Sequence, residues 1–373
     1  MKVPPFALER YFAKYEFSAP HLLCCSDCEA MPLAELLDFE TDARERFDNL
    51  WLGYTESLGH PELRHTIASL YENVKAENVL VHAGAEEAIF NFMNVVLSPG
   101  DHVIVHSPRY QSLGEVASSL GCDVTDWRAN PENGWALDIK ELEQSLRPTT
   151  KVVVVNTPHN PTGYLMSAPD QASLVELSKE AGFIIFSDEV YRLLEQDENK
   201  RLPALADLDE RGLSLGVMSK SIGLAGLRLG WIVTRNEDLY NKLAAFKDYT
   251  TICTAAPSEF LSTLALRHWP RLVKRNKGII QKNLSIFADF VSQWSDYFSW
   301  IEPPAGPIAF PRLKNGSAEE FCHRLVQKQG VLLAPGNLFG KEWKNHFRVG
   351  FGRQSFSEAL GHLSHFMRAF SQN

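Results

Sequence analysis

Lys220 stands in the run VMSKSIGLAGLRLGW (217–231), which is small and apolar apart from this lysine and Arg228 eight residues later. An amine among apolar neighbours is costly unless something uses it. The use that suits a lysine is a Schiff base with an aldehyde cofactor. Such a cofactor, built on a pyridine ring, needs a carboxylate to keep its ring nitrogen protonated, and Asp188 is available. A phenolic oxygen on the ring wants donors, which Asn160 and Tyr191 can provide, and Tyr110 offers a ring to stack on. A phosphate suits the free N–H groups of a helix start at Gly84-Ala85-Glu86, and Arg228 adds a fixed positive charge. Glycines 223, 226 and 230 let the chain turn tightly and approach a ligand. Taken singly, each residue has an ordinary explanation. Asp188 could cap a helix over EVYRLLEQ, Asn160-Pro161 and Thr162-Gly163 could be plain turns, and Arg228 could be a surface cation. Their coincidence carries the argument.

That coincidence lies at the ends of predicted strands. VLVHAG, HVIVHSP, KVVVVNTP, GFIIFSDE, SLGVMSK and GWIVT read as short apolar strands, with helical patterns such as AEEAIFNFMNVVL and ASLVELSKEAG between several of them. Continuous Val/Ile runs of this kind fit strands buried on both faces of a mostly parallel sheet, whose ligands bind where strands end. The expected fold is α/β, with a mostly parallel central sheet, helices on both faces and a smaller α+β domain. The expected division is a large domain over 41–254 and a small one formed by 1–40 with 255–373. A long helical pattern spans SEFLSTLALRHWPRLVKRNKGIIQKNL, and GPIAFPRL and FRVGFG read as later strands.

The formal net charge is −9, which argues against nucleic acid or an anionic membrane as partner. No apolar run is long enough to span a bilayer, and prolines and charges interrupt the amino-terminal segment, so a cytoplasmic location is expected. Three of the six cysteines fall in CCSDC (24–28). Without a second ligand pair, Cys25-x-x-Cys28 is expected to be free thiol, and no metal site is expected.

The segments NTPHNPTG (156–163), SDEVY (187–191) and SKSIGLAGLRLGW (219–231) resemble the class I/II aminotransferases, the fold-type I enzymes that use pyridoxal 5′-phosphate (PLP). YTESLGHPELR (54–64), AGAEEA (83–88), HSPRYQSL (106–113) and FRVGFG (347–352) extend the likeness over most of the chain from about residue 50. The resemblance implies PLP bound through Lys220, with Asp188 on the pyridine nitrogen, Asn160 and Tyr191 on the ring hydroxyl and Tyr110 stacked. It also implies amino acid and 2-oxo acid substrates and a homodimer. Tyr54 would reach the phosphate of the neighbouring subunit's cofactor, and Arg348 would bind the substrate α-carboxylate. Val217 departs from the family, which often has a phosphate-donating Ser or Thr there; Ser219 is the candidate replacement. PENGWALDIKELEQSL, KDYTTICTAAPSE and GPIAFPRL are similar to the branch that includes capreomycidine synthase, so elimination, replacement (as in C–S lyases) or cyclisation stands as the alternative to transamination. A regulatory role without catalysis would want a DNA-binding extension, and none is seen. The loop CCSDCEAM carries Asp27 and Glu29, with no basic residue between His21 and Arg44. Two readings stand: Asp27 contacts a polar or cationic substrate side chain, or both carboxylates face solvent, the more usual fate of loop acids.

Overall fold

The computed structural model describes residues 2–370. Seven strands form the central sheet: β1 (Val79–His82), β2 (His102–Ser107), β3 (Asp123–Arg128), β4 (Thr150–Asn156), β5 (Ile184–Asp188), β6 (Gly212–Val217) and β7 (Gly230–Thr234). Their spatial order is β1-β7-β6-β5-β4-β2-β3. The pairs from β6 through β3 are parallel, and β7 runs antiparallel to both of its neighbours.

The inner strands are largely apolar because alternate side chains enter different cores, whereas the edge strand β3 is mostly polar. On β4, Val152 and Val154 pack with Phe92 and Leu113 from helices on one face. Val153 and Val155 pack with Leu142, Leu174 and Phe183 on the other. The fold is thus α/β with a mostly parallel sheet covered on both sides.

The helical pattern over 258–284 is two helices, Ala256–Arg267 and Trp269–Gln293, parted at His268. Pro270 lies in the first turn of the second, where its missing N–H costs nothing, but its ring excludes a continuous helix.

The amino-terminal segment joins residues from the far end of the chain. The short strand His21–Leu22 pairs in parallel with Val331–Leu332. Gly350, in the strand Phe347–Gly350, donates its N–H to Leu23 O at 2.7 Å. A Cβ at Gly350 would collide with the Cys25 carbonyl, so only glycine permits this backbone approach. A first helix, Ala7–Tyr15, precedes this segment. Among the described residues, no helix is long and apolar enough to cross a membrane.

Candidate active site

Asn156 and Asp188 end adjacent strands and sit in register, and Val217 ends the next strand. The parallel sheet therefore delivers polar residues to one edge. Asp188 is buried, and its Oδ1 accepts only a turn N–H, from Val190 at 3.2 Å. The segment after it turns instead of forming a helix, so the capping explanation does not hold. Burial pushes its carboxyl up to about 7, against the Val190 hydrogen bond and the nearby Lys220 charge.

Asn156 was not singled out in the sequence, yet it shapes the next loop. Its Nδ2 donates to Asp188 O at 2.9 Å and Pro158 O at 3.1 Å, and its Oδ1 accepts the Asn160 N–H at 2.6 Å. Asn160 Oδ1 in turn accepts Arg348 Nη1 at 3.1 Å. Arg348 is 1% exposed; its Nε donates to Cys24 O at 3.1 Å, and its Nη2 has no partner among the described residues. A buried guanidinium with a spare donor is poised for a carboxylate, and it is placed there jointly by the late strand and the amino-terminal loop.

Lys220 lines a cavity of about 340 Å³, which Asn160 also lines, and donates to Ser26 Oγ at 2.9 Å. Burial lowers its amine pKa; Asp27 opposes the shift and Arg348 reinforces it. A depressed pKa keeps more of the amine neutral, hence nucleophilic and basic. Tyr110, Asn160, Asp188, Tyr191, Ser219 and Arg228 also line this cavity. The Tyr191 hydroxyl is buried near Ser26 with no partner in hydrogen-bond geometry among the described residues, and Phe6 packs on the Tyr110 ring at 5.1 Å between centroids.

The phosphate cradle depends on close backbone approach. Gly84, at φ 95°, precedes the helix Ala85–Val96, and a Cβ on it would lie 2.9 Å from Arg228 Nη2. A Cβ on Gly230 would lie 2.8 Å from the Gly84 carbonyl carbon. Arg228 adopts a left-handed φ of 48°, uncommon without glycine, and its Nη1 donates to Ser219 Oγ at 3.4 Å. Glu86, in the first turn, has its carboxyl pushed up to about 7 by burial, so it sits beside an anion site largely neutral below that pH. Val217 is buried at the strand end and offers no hydroxyl.

One wall of the cavity was not legible in advance. The first helix contributes Leu8, Glu9 and Phe12, followed by Glu16 just beyond it. Asp27 lines the cavity as expected, but it is not an unmatched acid. Arg353 Nη2 reaches both its oxygens, at 3.0 and 2.8 Å, and supplies the cation that the sequence around residues 21–44 lacks. Glu29 accepts the Gln354 N–H at 2.8 Å. Glu9 and Glu16, seven residues apart and hence on one helical face, were a signal that could have been read. Ser26 and Arg353 had none.

Tyr54 does not reach Lys220 within this chain. It is 86% exposed beside Trp51 and Leu52, on a surface groove that also includes Arg46 and Phe260.

Residues 27–360 match the family described as aminotransferase class I and II. The chain belongs to this family. Among the family's curated members it is 29% identical to capreomycidine synthase of Streptomyces vinaceus over 96% of this chain and 94% of that protein. It is 30% identical to an aspartate aminotransferase of Sulfurisphaera tokodaii, over 83% and 80% respectively. A PLP-dependent aminotransferase from Streptococcus suis superposes with a TM-score of 0.93 at 33% identity, over 99% of both chains. The fold is the family's fold-type I arrangement, and the cofactor is PLP. The residues present fit that group. The glycine-lined helix start with Arg228 suits a phosphate, Asp188 suits a pyridinium, and the unpartnered Tyr191 hydroxyl suits the ring oxygen.

Proposed function

We propose that this protein is an aminotransferase that moves an amino group between an amino acid and a 2-oxo acid. The observation that carries the reading is the buried Arg348, whose Nη2 has no partner among the described residues and whose Nη1 donates to Asn160, a residue lining the cavity that also holds Lys220 and Asp188. Arg348 and Asn160 would hold the cofactor-side end of an amino acid by its α-carboxylate. Lys220 Nζ, held toward the cavity by Ser26, would take the proton from the substrate α-carbon and later release it. Asp188, Asn160, Tyr191, Tyr110, Ser219 and Arg228, with the Gly84-Ala85-Glu86 helix start, would hold PLP. When bound, PLP supplies the electron sink for the pair left at the α-carbon. Asp188 keeps that sink effective by remaining ionised against the ring nitrogen.

For the substrate side chain we infer a preference for polar or cationic groups over acidic ones. Glu16 has its carboxyl pushed up by burial first and then by Asp27 and Glu9, with Arg353 and Lys220 opposing the shift, so three acids share this wall with the one cation already paired to Asp27 and the Lys220 amine. A substrate cation would offset these acids, whereas a carboxylate would add to them. A second reading, elimination or cyclisation, draws support from the similarity to capreomycidine synthase. A single half-reaction separates the two. With one amino donor and no acceptor, transamination releases about one equivalent of 2-oxo acid per chain and no ammonia. Lys220→Ala should slow this half-reaction by about a hundred- to ten-thousandfold. Ammonia release, or a product that keeps its amino group, would favour the second reading.

We further infer a homodimer, in which Tyr54 serves the partner's phosphate site. The exposed Trp51, Leu52, Tyr54, Tyr249 and Ile252 support it, since apolar groups in such number suit a covered face. Mixing inactive Tyr54→Ala and Lys220→Ala proteins should restore part of the activity once subunits exchange. Proven exchange with no recovery would refute a shared site. The division into 41–254 and 1–40 with 255–373 is part of the same proposal, supported by the pairing of His21–Leu22 with Val331–Leu332. The six free cysteines fit a reducing, cytoplasmic setting.

A further inference from the structure

Cys24, Cys25 and Cys28 are free and buried, and they do not assemble with other ligand-type residues into a metal cluster among the described residues. A different set does. His21, Glu358 and His362 bring their donor atoms within 4.8 Å of one another. Glu358 and His362 lie one turn apart on the helix Phe356–Phe370, the spacing that puts two side chains on one face. His21 comes from the short strand paired with Val331–Leu332, and its backbone N–H is fixed on Gly330 O at 3.1 Å. The His21 and His362 rings stack with centroids 3.9 Å apart and planes at 23°, and His21 Nδ1 lies 3.9 Å from Glu358 Oε1.

We propose that His21, Glu358 and His362 form a binding site for a first-row divalent cation of the zinc type, with open positions for water. Two imidazoles and one carboxylate are a donor set this class of ion favours over calcium or magnesium. Donor atoms around tetrahedral zinc stand about 3.4 Å apart, given zinc–ligand distances near 2.0–2.1 Å. Closing from the observed separations requires shifts on the order of 1 Å, together with rotation of the two rings out of their stack, because their in-plane lone pairs now run nearly parallel. The Glu358 side chain, 69% exposed, is free to make its share. The consequence lies in what the ion would join. His21 precedes the loop that carries Cys25, Ser26 and Asp27 into the cavity, so a bound ion would pin that loop's strand to the last helix. It would stabilise the folded chain by binding it in preference to the unfolded one.

The test uses the full-length holoprotein, stripped with a chelator and titrated with Zn²⁺ against a chromophoric competitor. Wild type should take one equivalent per chain and melt at a higher temperature with the ion present. His21→Ala and His362→Ala should each weaken binding by at least about tenfold and abolish the thermal shift. Glu358→Gln should weaken it less, and His365→Ala, on an exposed position of the same helix, should change nothing. Glu358→Gln keeps the side chain's size, so it tests the site even where a histidine variant folds poorly. Zinc-edge X-ray absorption of the wild type should report two imidazole nitrogens. Wild type without stoichiometric binding, binding undiminished in His362→Ala, or a sulfur-ligated ion would each overturn the proposal.

Discussion

The cavity has two sides built in different ways. The cradle side rests on strand ends. Asp188 and Asn156 are fixed by sheet register, Lys220 and Arg228 lie between adjacent antiparallel strands, and Gly84 opens a helix directly after a strand. The wall side has no such frame. The first helix and the loop 24–29 are tied on by side-chain and loop contacts. Arg348 reaches Cys24 across 324 residues of sequence, and Arg353 reaches Asp27 across 326. A sheet edge holds reacting groups to a narrow geometry, whereas a stitched wall can change its residues without disturbing the strands. The chemistry should therefore depend on the cradle and the choice of substrate on the wall.

The largest effect should come from the cradle. Asp188→Asn should retain much of the PLP but lower kcat about a thousandfold, roughly 4 kcal/mol of barrier, for every donor alike. The sign of its pH dependence follows from burial. The carboxyl is raised to about 7, so it is protonated and unable to pair with a pyridinium at lower pH. PLP capture by the apoprotein should weaken as pH falls through about 7, and Asp188→Asn should flatten that dependence. Capture followed by fluorescence checks it; a donor-dependent loss of kcat would break the division between the two sides.

Arg348 belongs to both sides, since it holds Cys24 and Asn160 at once. Arg348→Lys keeps the charge but loses the planar fork. It should raise KM for all amino donors about a hundredfold, with a smaller change in kcat. An unchanged KM in steady-state assays would remove it from carboxylate binding.

The smallest effect should come from the wall. Arg353→Met frees Asp27 from its cation, and Glu16→Gln removes one of the crowded acids. The first should improve cationic donors relative to neutral ones by roughly tenfold and the second should worsen them, both with PLP retention unchanged. A donor panel that keeps the wild-type ranking in both variants would mean that the acids of the wall face solvent only.

The same contrast explains what could be read from the chain itself. Cradle residues interrupt apolar strands with a lysine, an aspartate or a glycine, and such interruptions stand out against a regular pattern. Sheet register then brings them together without further information. Asn156 escaped notice because its role is to fix the backbone of the next loop. The wall's partners are linked by no period. Nothing local says that Ser26 meets Lys220 or that Arg353 meets Asp27, because those contacts exist only once remote segments dock. The same holds for His21 with Glu358 and His362. The helix break at His268 had a local sign in Pro270, which the longer apolar pattern around it obscured.

The glycine at 350 bears on how the molecule is made. Its N–H holds Leu23 O, and its missing side chain leaves room for the Cys25 carbonyl. A ribosome adds residues from the amino end, so the strands of residues 79–234 leave it before the partners of His21, Leu23, Cys24 and Asp27, at residues 330–353, exist. The cradle can assemble early, and the segment that walls it must wait beside it with Leu23 and Cys24 uncovered. A chain stopped before residue 330 would hold every strand of the central sheet, yet lack the hydrogen-bond partners that seat His21, Leu23, Cys24 and Asp27.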